Sequence, residues 1–95
     1  MSAYVIADIT VNDPECYEEY KKLAPPAIAA YGGKYLARGG KYEILEGNWE
    51  PGRVVILEFE SIEKAKKFIN SPEYSEARAL RHKTASSNMI VVQAL

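Results

Sequence analysis

Asp8, Arg38 and Glu58 are the side chains whose types and setting most suggest joint chemistry. Asp8 interrupts Tyr4-Val5-Ile6-Ala7-Asp8-Ile9-Thr10-Val11, and Glu58 interrupts Arg53-Val54-Val55-Ile56-Leu57-Glu58-Phe59; both segments are otherwise rich in apolar residues. Alternate side chains of a strand point to opposite sides. Val5, Ala7, Ile9, Val11, Val55, Leu57 and Phe59 then share one face, and Tyr4, Ile6, Asp8, Val54, Ile56 and Glu58 the other. A carboxylate partly removed from water has its pKa pushed up, and a second carboxylate nearby pushes it further. Such a base can abstract a proton beside a carbonyl. Glu58 and Asp8 are therefore the candidate catalytic residues. Arg38, just before Gly39-Gly40, could enter the same space and hold a substrate carboxylate or an enolate-like oxygen. The competing reading is an ion pair of Arg38 with Glu58 or Asp8 that secures register and dimer geometry.

Tyr74 and Arg81 lie seven residues apart, two helical turns, and so share a helix face as candidate substrate-binding groups. Alternatively Tyr74 packs inside while Arg81 faces water. Arg53 is placed to pair with Glu46 or Glu50 across a hairpin, and Trp49 to fold onto the sheet rim or a partner subunit. His82 sits with Arg81 and Lys83 near a helix C-terminus, where cations are favoured. A helical histidine could also serve as an axial haem ligand, but its charged neighbours argue against an apolar haem pocket. With one histidine and one cysteine there is no zinc ligand set, and neither metal nor cofactor is expected. Cys16 lies in the first turn of a helix, whose dipole could lower its pKa.

The positioning elements follow from local signals. The first strand, near Tyr4–Val11, ends at Asn12-Asp13-Pro14, where Asp13 caps a helix and Pro14 suits its first position. Tyr17, Tyr20 and Leu23 recur along one face of that helix, and Pro25-Pro26 should interrupt or kink it. Gly32-Gly33 stops the turn that follows. A second strand spans 34–38, bends at Gly39-Gly40 and resumes through 42–46. The loop 47–52 leads to a third strand at 53–60. Ser61 caps a helix through Ala65 and Phe68, and Ser71-Pro72 starts another carrying Tyr74, Ala77 and Leu80. The last strand is 88–94.

This order, βαββαβ, is the ferredoxin-like pattern: an α+β fold with a four-stranded antiparallel sheet whose helices lie on one face. The chain, residues 1–95, makes a single domain. Tyr4, Ile6, Val54 and Ile56 are left on a face that nothing in the chain covers. Leaving each wet forgoes roughly 1.5–3 kcal/mol, so a second copy packed face to face about a two-fold axis is expected. A net charge of −1 excludes nucleic acid or an anionic membrane as the main partner. No apolar run spans a bilayer, no leader pattern opens the chain, and a lone cysteine fits a reducing compartment; a cytoplasmic protein is expected.

Gly32-Gly33-Lys34-Tyr35-Leu36-Ala37-Arg38-Gly39-Gly40, Leu45-Glu46-Gly47, Arg53–Phe59 with Ser61, and Ser71-Pro72-Glu73-Tyr74 with Arg81 together resemble domain-of-unknown-function family 1330, of the dimeric α+β barrel superfamily. The resemblance covers nearly the whole chain. It departs at Glu60, where family members often have proline, and at Phe68, often tryptophan. It implies a homodimer with an interior cavity between sheet and helices, and it implies no particular reaction. Fold relatives include cofactor-free monooxygenases, lactone isomerases and haem-binding enzymes. The expectation is a small homodimer that binds an organic acid or carbonyl compound, with cofactor-free proton transfer as its possible chemistry. The alternatives are a non-catalytic ligand-binding or structural dimer and, less favoured, a haem-binding one.

Overall fold

The computed structural model describes residues 2–95. Strand β1 (Ala3–Val11) leads into helix α1 (Pro14–Ala30), then strands β2 (Lys34–Arg38) and β3 (Arg53–Phe59), helices α2 (Ile62–Ile69) and α3 (Pro72–Thr84), and strand β4 (Ala85–Gln93). The four strands form one antiparallel sheet in the order β2-β3-β1-β4. The expected fold class and element order are thus the observed ones. The caps act as read: Asp13 accepts from the Cys16 N–H, Ser61 from Lys64 and Ser71 from Tyr74.

Pairing of β1 with β3 sets Val5 opposite Leu57 and Ala7 opposite Val55, which puts the smooth apolar rows under the helices. Val5, Ala7, Ile9, Val55, Leu57 and Phe59 are buried there with Tyr17, Ala24, Ala27, Ile28, Phe68, Tyr74 and Ala77. Phe68 binds this core together, its ring centroid 4.3 Å from Tyr74 and 5.2 Å from Phe59. Gly33 permits the approach of the chain to this cluster, since a Cβ there would meet the Phe59 ring at 2.6 Å. On the opposite face Tyr4, Ile6, Val54 and Ile56 are only half-buried, and Ile90 and Leu36 are 61% and 53% exposed. This open apolar face is the one anticipated from the alternation.

Four details differ from expectation. α1 runs unbroken through Pro25-Pro26. Pro25 cannot donate to the Lys21 carbonyl, the acceptor four residues back. Arg38 Nη2 donates to that carbonyl instead, at 3.3 Å, so a side chain from β2 replaces the missing bond. The register shift in β2 falls between Tyr35 and Ala37, not at the glycines. Gly39 does bend the chain, with φ +69°, and a Cβ there would strike the Arg53 guanidinium. Pairing does not resume at 42–46, which lies in no strand. β4 starts at Ala85 rather than Asn88, because α3 passes directly into it at Thr84.

The Arg38 substitute for a helical hydrogen bond makes an energetic prediction. Arg38→Ala should cost about 1 kcal/mol, the usual worth of one such bond. In a Pro25→Ala background the restored N–H serves Lys21, and the cost should shrink by most of that amount in urea titrations. Equal costs in both backgrounds would remove the coupling.

Candidate functional site

Parity along β2 decides where the charges go. Lys34 faces Glu58 across the ladder, Tyr35 faces Leu57, Leu36 is left unpaired, and Ala37 and Arg38 face Ile56 and Val55. That one extra residue transfers Arg38 to the helix side, in register with buried Val55. The expected meeting of Asp8, Arg38 and Glu58 therefore does not occur. Arg38 instead lies over the Tyr35 ring at 4.6 Å. Asp8 and Glu58 do share the open face, but Asp8 pairs with Val54 and Glu58 with Tyr4. Four strand residues separate them, roughly 13 Å. Both Asp8 oxygens are engaged by the loop, Oδ2 by Trp49 Nε1 at 2.9 Å and Oδ1 by the Gly52 N–H at 2.8 Å. Glu58, half-buried, stands 3.7 Å from the exposed Lys34 Nζ, a long pair worth little in itself.

The helix side carries the denser constellation. Tyr74 and Arg81, on one face of α3 as their spacing requires, are both buried, and Arg81 is only 5% exposed. Arg81 Nε donates to Tyr74 Oη at 3.4 Å, and its Nη1 donates to Ser87 Oγ. The Tyr20 and Tyr74 hydroxyls lie 2.6 Å apart. Burial, then the neighbouring Tyr74, pushes the Tyr20 phenol far above its ordinary pKa. Tyr17 and Tyr35 are raised as well, burial being the main cause. Among the described residues no ion pair involves Arg81. A cation in such a place, without a carboxylate, is costly unless some other anion faces it.

Arg81 forms part of the wall of a cleft of about 480 Å³ between α2, α3 and β4. Val5, Phe68, Ile69, Met89 and Val91 give it an apolar lining, Lys66, Arg78 and His82 add cationic or ionisable groups, and no acidic residue lines it. A second, nearly filled cavity of about 30 Å³ lies deeper, between Tyr17, Tyr20, Tyr35, Arg38, Arg53 and Tyr74. The two share Val5, Phe68 and Met89 as walls. An apolar trough edged by cations suits an organic anion of modest size.

The remaining expectations resolve as follows. Arg53 does not pair with Glu46 or Glu50; its guanidinium lies 6.0 Å from the centroid of the Tyr17 ring, and its Nε is buried without a hydrogen-bond partner. Trp49 folds onto the sheet rim through Asp8. His82 is exposed at the cleft edge, its pKa lowered by desolvation and then by Arg81 and Arg78. Cys16 is raised rather than lowered, chiefly because its thiol hydrogen-bonds the capping Asp13 carboxylate. Ser87 and Met89 escaped notice because they fall before or near the expected start of β4. Tyr20 was visible only as one of a row of apolar spacings along α1.

These features define an α+β protein with a ferredoxin-like sheet and a cationic cleft beneath its helices. The chain belongs to the family described as Domain of unknown function (DUF1330), which it matches over residues 2–95. No curated protein matches it in sequence. Among solved structures, a Rhodopseudomonas palustris protein of unknown function is 21% identical with a TM-score of 0.77, covering 99% of this chain and 82% of that one. A Bacteroides fragilis protein described as dimeric, with a ferredoxin-like fold, is 13% identical with a TM-score of 0.65, covering 98% and 96%. SnoaB, a cofactor-independent oxygenase from Streptomyces nogalater, is 10% identical with a TM-score of 0.61, covering 99% and 93%. At such identities the likeness is one of fold. No described helix is long and apolar enough to cross a membrane.

Tyr20 yields a pH prediction. The folded protein holds its proton more tightly than the unfolded chain does, so this stability is complete below about pH 10 and declines as pH rises above it. Tyr20→Phe should make that alkaline decline shallower by one proton, measured by denaturant titration between pH 8 and 11. An unchanged slope would show that Tyr20 ionises normally.

Proposed function

We propose that this protein is a homodimer that binds a small organic acid or carbonyl compound, partly apolar, in the cleft between its helices and its sheet. The observation that carries this reading is Arg81: a guanidinium 5% exposed, on the wall of an apolar cleft, with no carboxylate paired to it. The ligand's anionic oxygen supplies the missing counter-charge, and a guanidinium fork holds a carboxylate well. Tyr74 fixes the guanidinium from behind through Nε, while Lys66 and Arg78 attract the anion to the entrance. Arg38 contributes from the opposite edge of the same interior, next to the deeper cavity.

Cofactor-free proton transfer, of isomerase or monooxygenase type, is the chemistry this reading would accommodate. A cofactor-independent oxygenase among the fold neighbours supports it by analogy alone. A proton-transfer role for Glu58 or Asp8 belongs to a chamber between two paired sheets, since both face away from the helices. The occupied oxygens of Asp8 favour an architectural duty for that residue. The homodimer is supported by the open apolar face and by a dimeric fold neighbour.

A thermal-shift screen of carboxylic acids, benzoate included, tests the reading. At a hundredfold excess over Kd a ligand adds about 2.7 kcal/mol, a rise in Tm of roughly 10–20 °C for a domain this small. Arg81→Met should lose at least tenfold in affinity, and Glu58→Gln should bind as wild type does. The reverse pattern would move the site to the open face, and no stabilisation by any acid would end the ligand reading.

A further inference from the structure

The cleft holds more positive charge than one carboxylate can answer. Arg81 is buried in its wall, Arg78 is half-buried and Lys66 is exposed, a gradation from interior to solvent. None of the three takes part in an ion pair among the described residues, and no acid lines the cleft. A monocarboxylate bound to Arg81 leaves the other two cations without a counter-charge.

Arg78 also has more hydrogen-bonding capacity than its structural duty uses. It precedes Arg81 by three residues on α3, so their Cβ atoms are neighbours on the helix surface, roughly 5–6 Å apart. Its Nη1 donates to the Ile69 carbonyl at 3.2 Å and to Asn70 Oδ1 at 3.1 Å, which fixes the guanidinium against the end of α2. Its Nε is buried without a hydrogen-bond partner, and Nη2 makes no bond among the described residues. A second depression, of about 320 Å³, adjoins the cleft through Ile69, Arg78 and His82. Arg78 therefore stands at the junction of two open spaces, anchored by one nitrogen.

We propose that the ligand is a dicarboxylic acid with an apolar frame, its inner carboxylate held by Arg81 and its outer one by Arg78 with help from Lys66. This rests on the proposed binding of an organic acid in the cleft. Ala65, Phe68, Met89 and Val91 make the remaining lining largely apolar, which suits an aryl or alkyl frame between the two charged ends. A guanidinium fork matches a carboxylate at each end. A phosphate suits the outer position less. Arg78 is anchored at the C-terminal end of α2, where the helix dipole is negative and disfavours a doubly charged group.

Calorimetric titration of the intact protein with isophthalate, its monomethyl ester and 3-carboxyphenyl phosphate tests the inference. The ester keeps the shape of the diacid and removes one charge. Isophthalate should bind about tenfold tighter than the ester, as a charge-assisted hydrogen bond warrants, and no more weakly than the phosphate. Arg78→Gln should weaken isophthalate by about tenfold and the ester by less than about threefold, which cancels the preference. Lys66→Gln, at an exposed position, should reduce the preference by about threefold. Lys64→Gln, on the same helix but outside the cleft, should keep it whole. Equal affinities for diacid and ester in the wild type, equal losses of both in Arg78→Gln, or tighter binding of the phosphate would overturn the proposal. If Arg78→Gln does not fold, an undiminished preference in Lys66→Gln overturns it. Failure of benzoate and the ester to bind, along with the diacid, would instead overturn the cleft as the site.

Discussion

One unpaired residue in an edge strand determines which charged groups of this protein can act together. Strand side chains alternate, so the extra position at Leu36 reverses the facing of everything after it. Without it Arg38 would lie opposite Val54 on the open face, near Asp8. With it Arg38 stacks on Tyr35 beneath the helices and supplies the hydrogen bond that Pro25 denies to Lys21. The continuity of α1 and the composition of the interior thus rest on the same local irregularity.

The interior that results is polar in a selective way. Arg53 on β3 and Arg81 on α3 line it, exposed Arg38 stands at the edge on β2, and the hydroxyls of Tyr20 and Tyr74 meet there. Tyrosine is suited to this position, for its ring fills core volume while its hydroxyl answers a guanidinium. No aspartate or glutamate enters, and the carboxylates of the sheet are kept on the other face by register. The proposed anion site on the helix side and the proposed homodimer on the open face both rest on this separation of signs across the sheet.

Much of this was legible in the sequence. The two faces of β1 and β3 followed from alternation alone, and the caps Asp13, Ser61 and Ser71 announced their helices. Two conspicuous breakpoints in the sequence do not break the fold, for physical reasons. Pro25-Pro26 reads as a break because local rules count only the lost N–H, while the compensating donor comes from thirteen residues further on. Gly39-Gly40 draws attention as the bulge, yet the irregularity sits at an ordinary leucine, where no residue type signals it. Arg81 reads as one of three cations in the last turn of α3, although His82 and Lys83 are exposed and Arg81 is buried. Its spacing from Tyr74 was the one signal that separated it from them.

The proposed ligand site lies under the helices rather than on the open sheet. Intermolecular nuclear Overhauser effects between bound benzoate and methyl-labelled protein test it most directly. Contacts from the ring protons to the methyls of Ala65, Met89 and Val91 are expected. Contacts confined to Ile6, Val54 and Ile56 would contradict it.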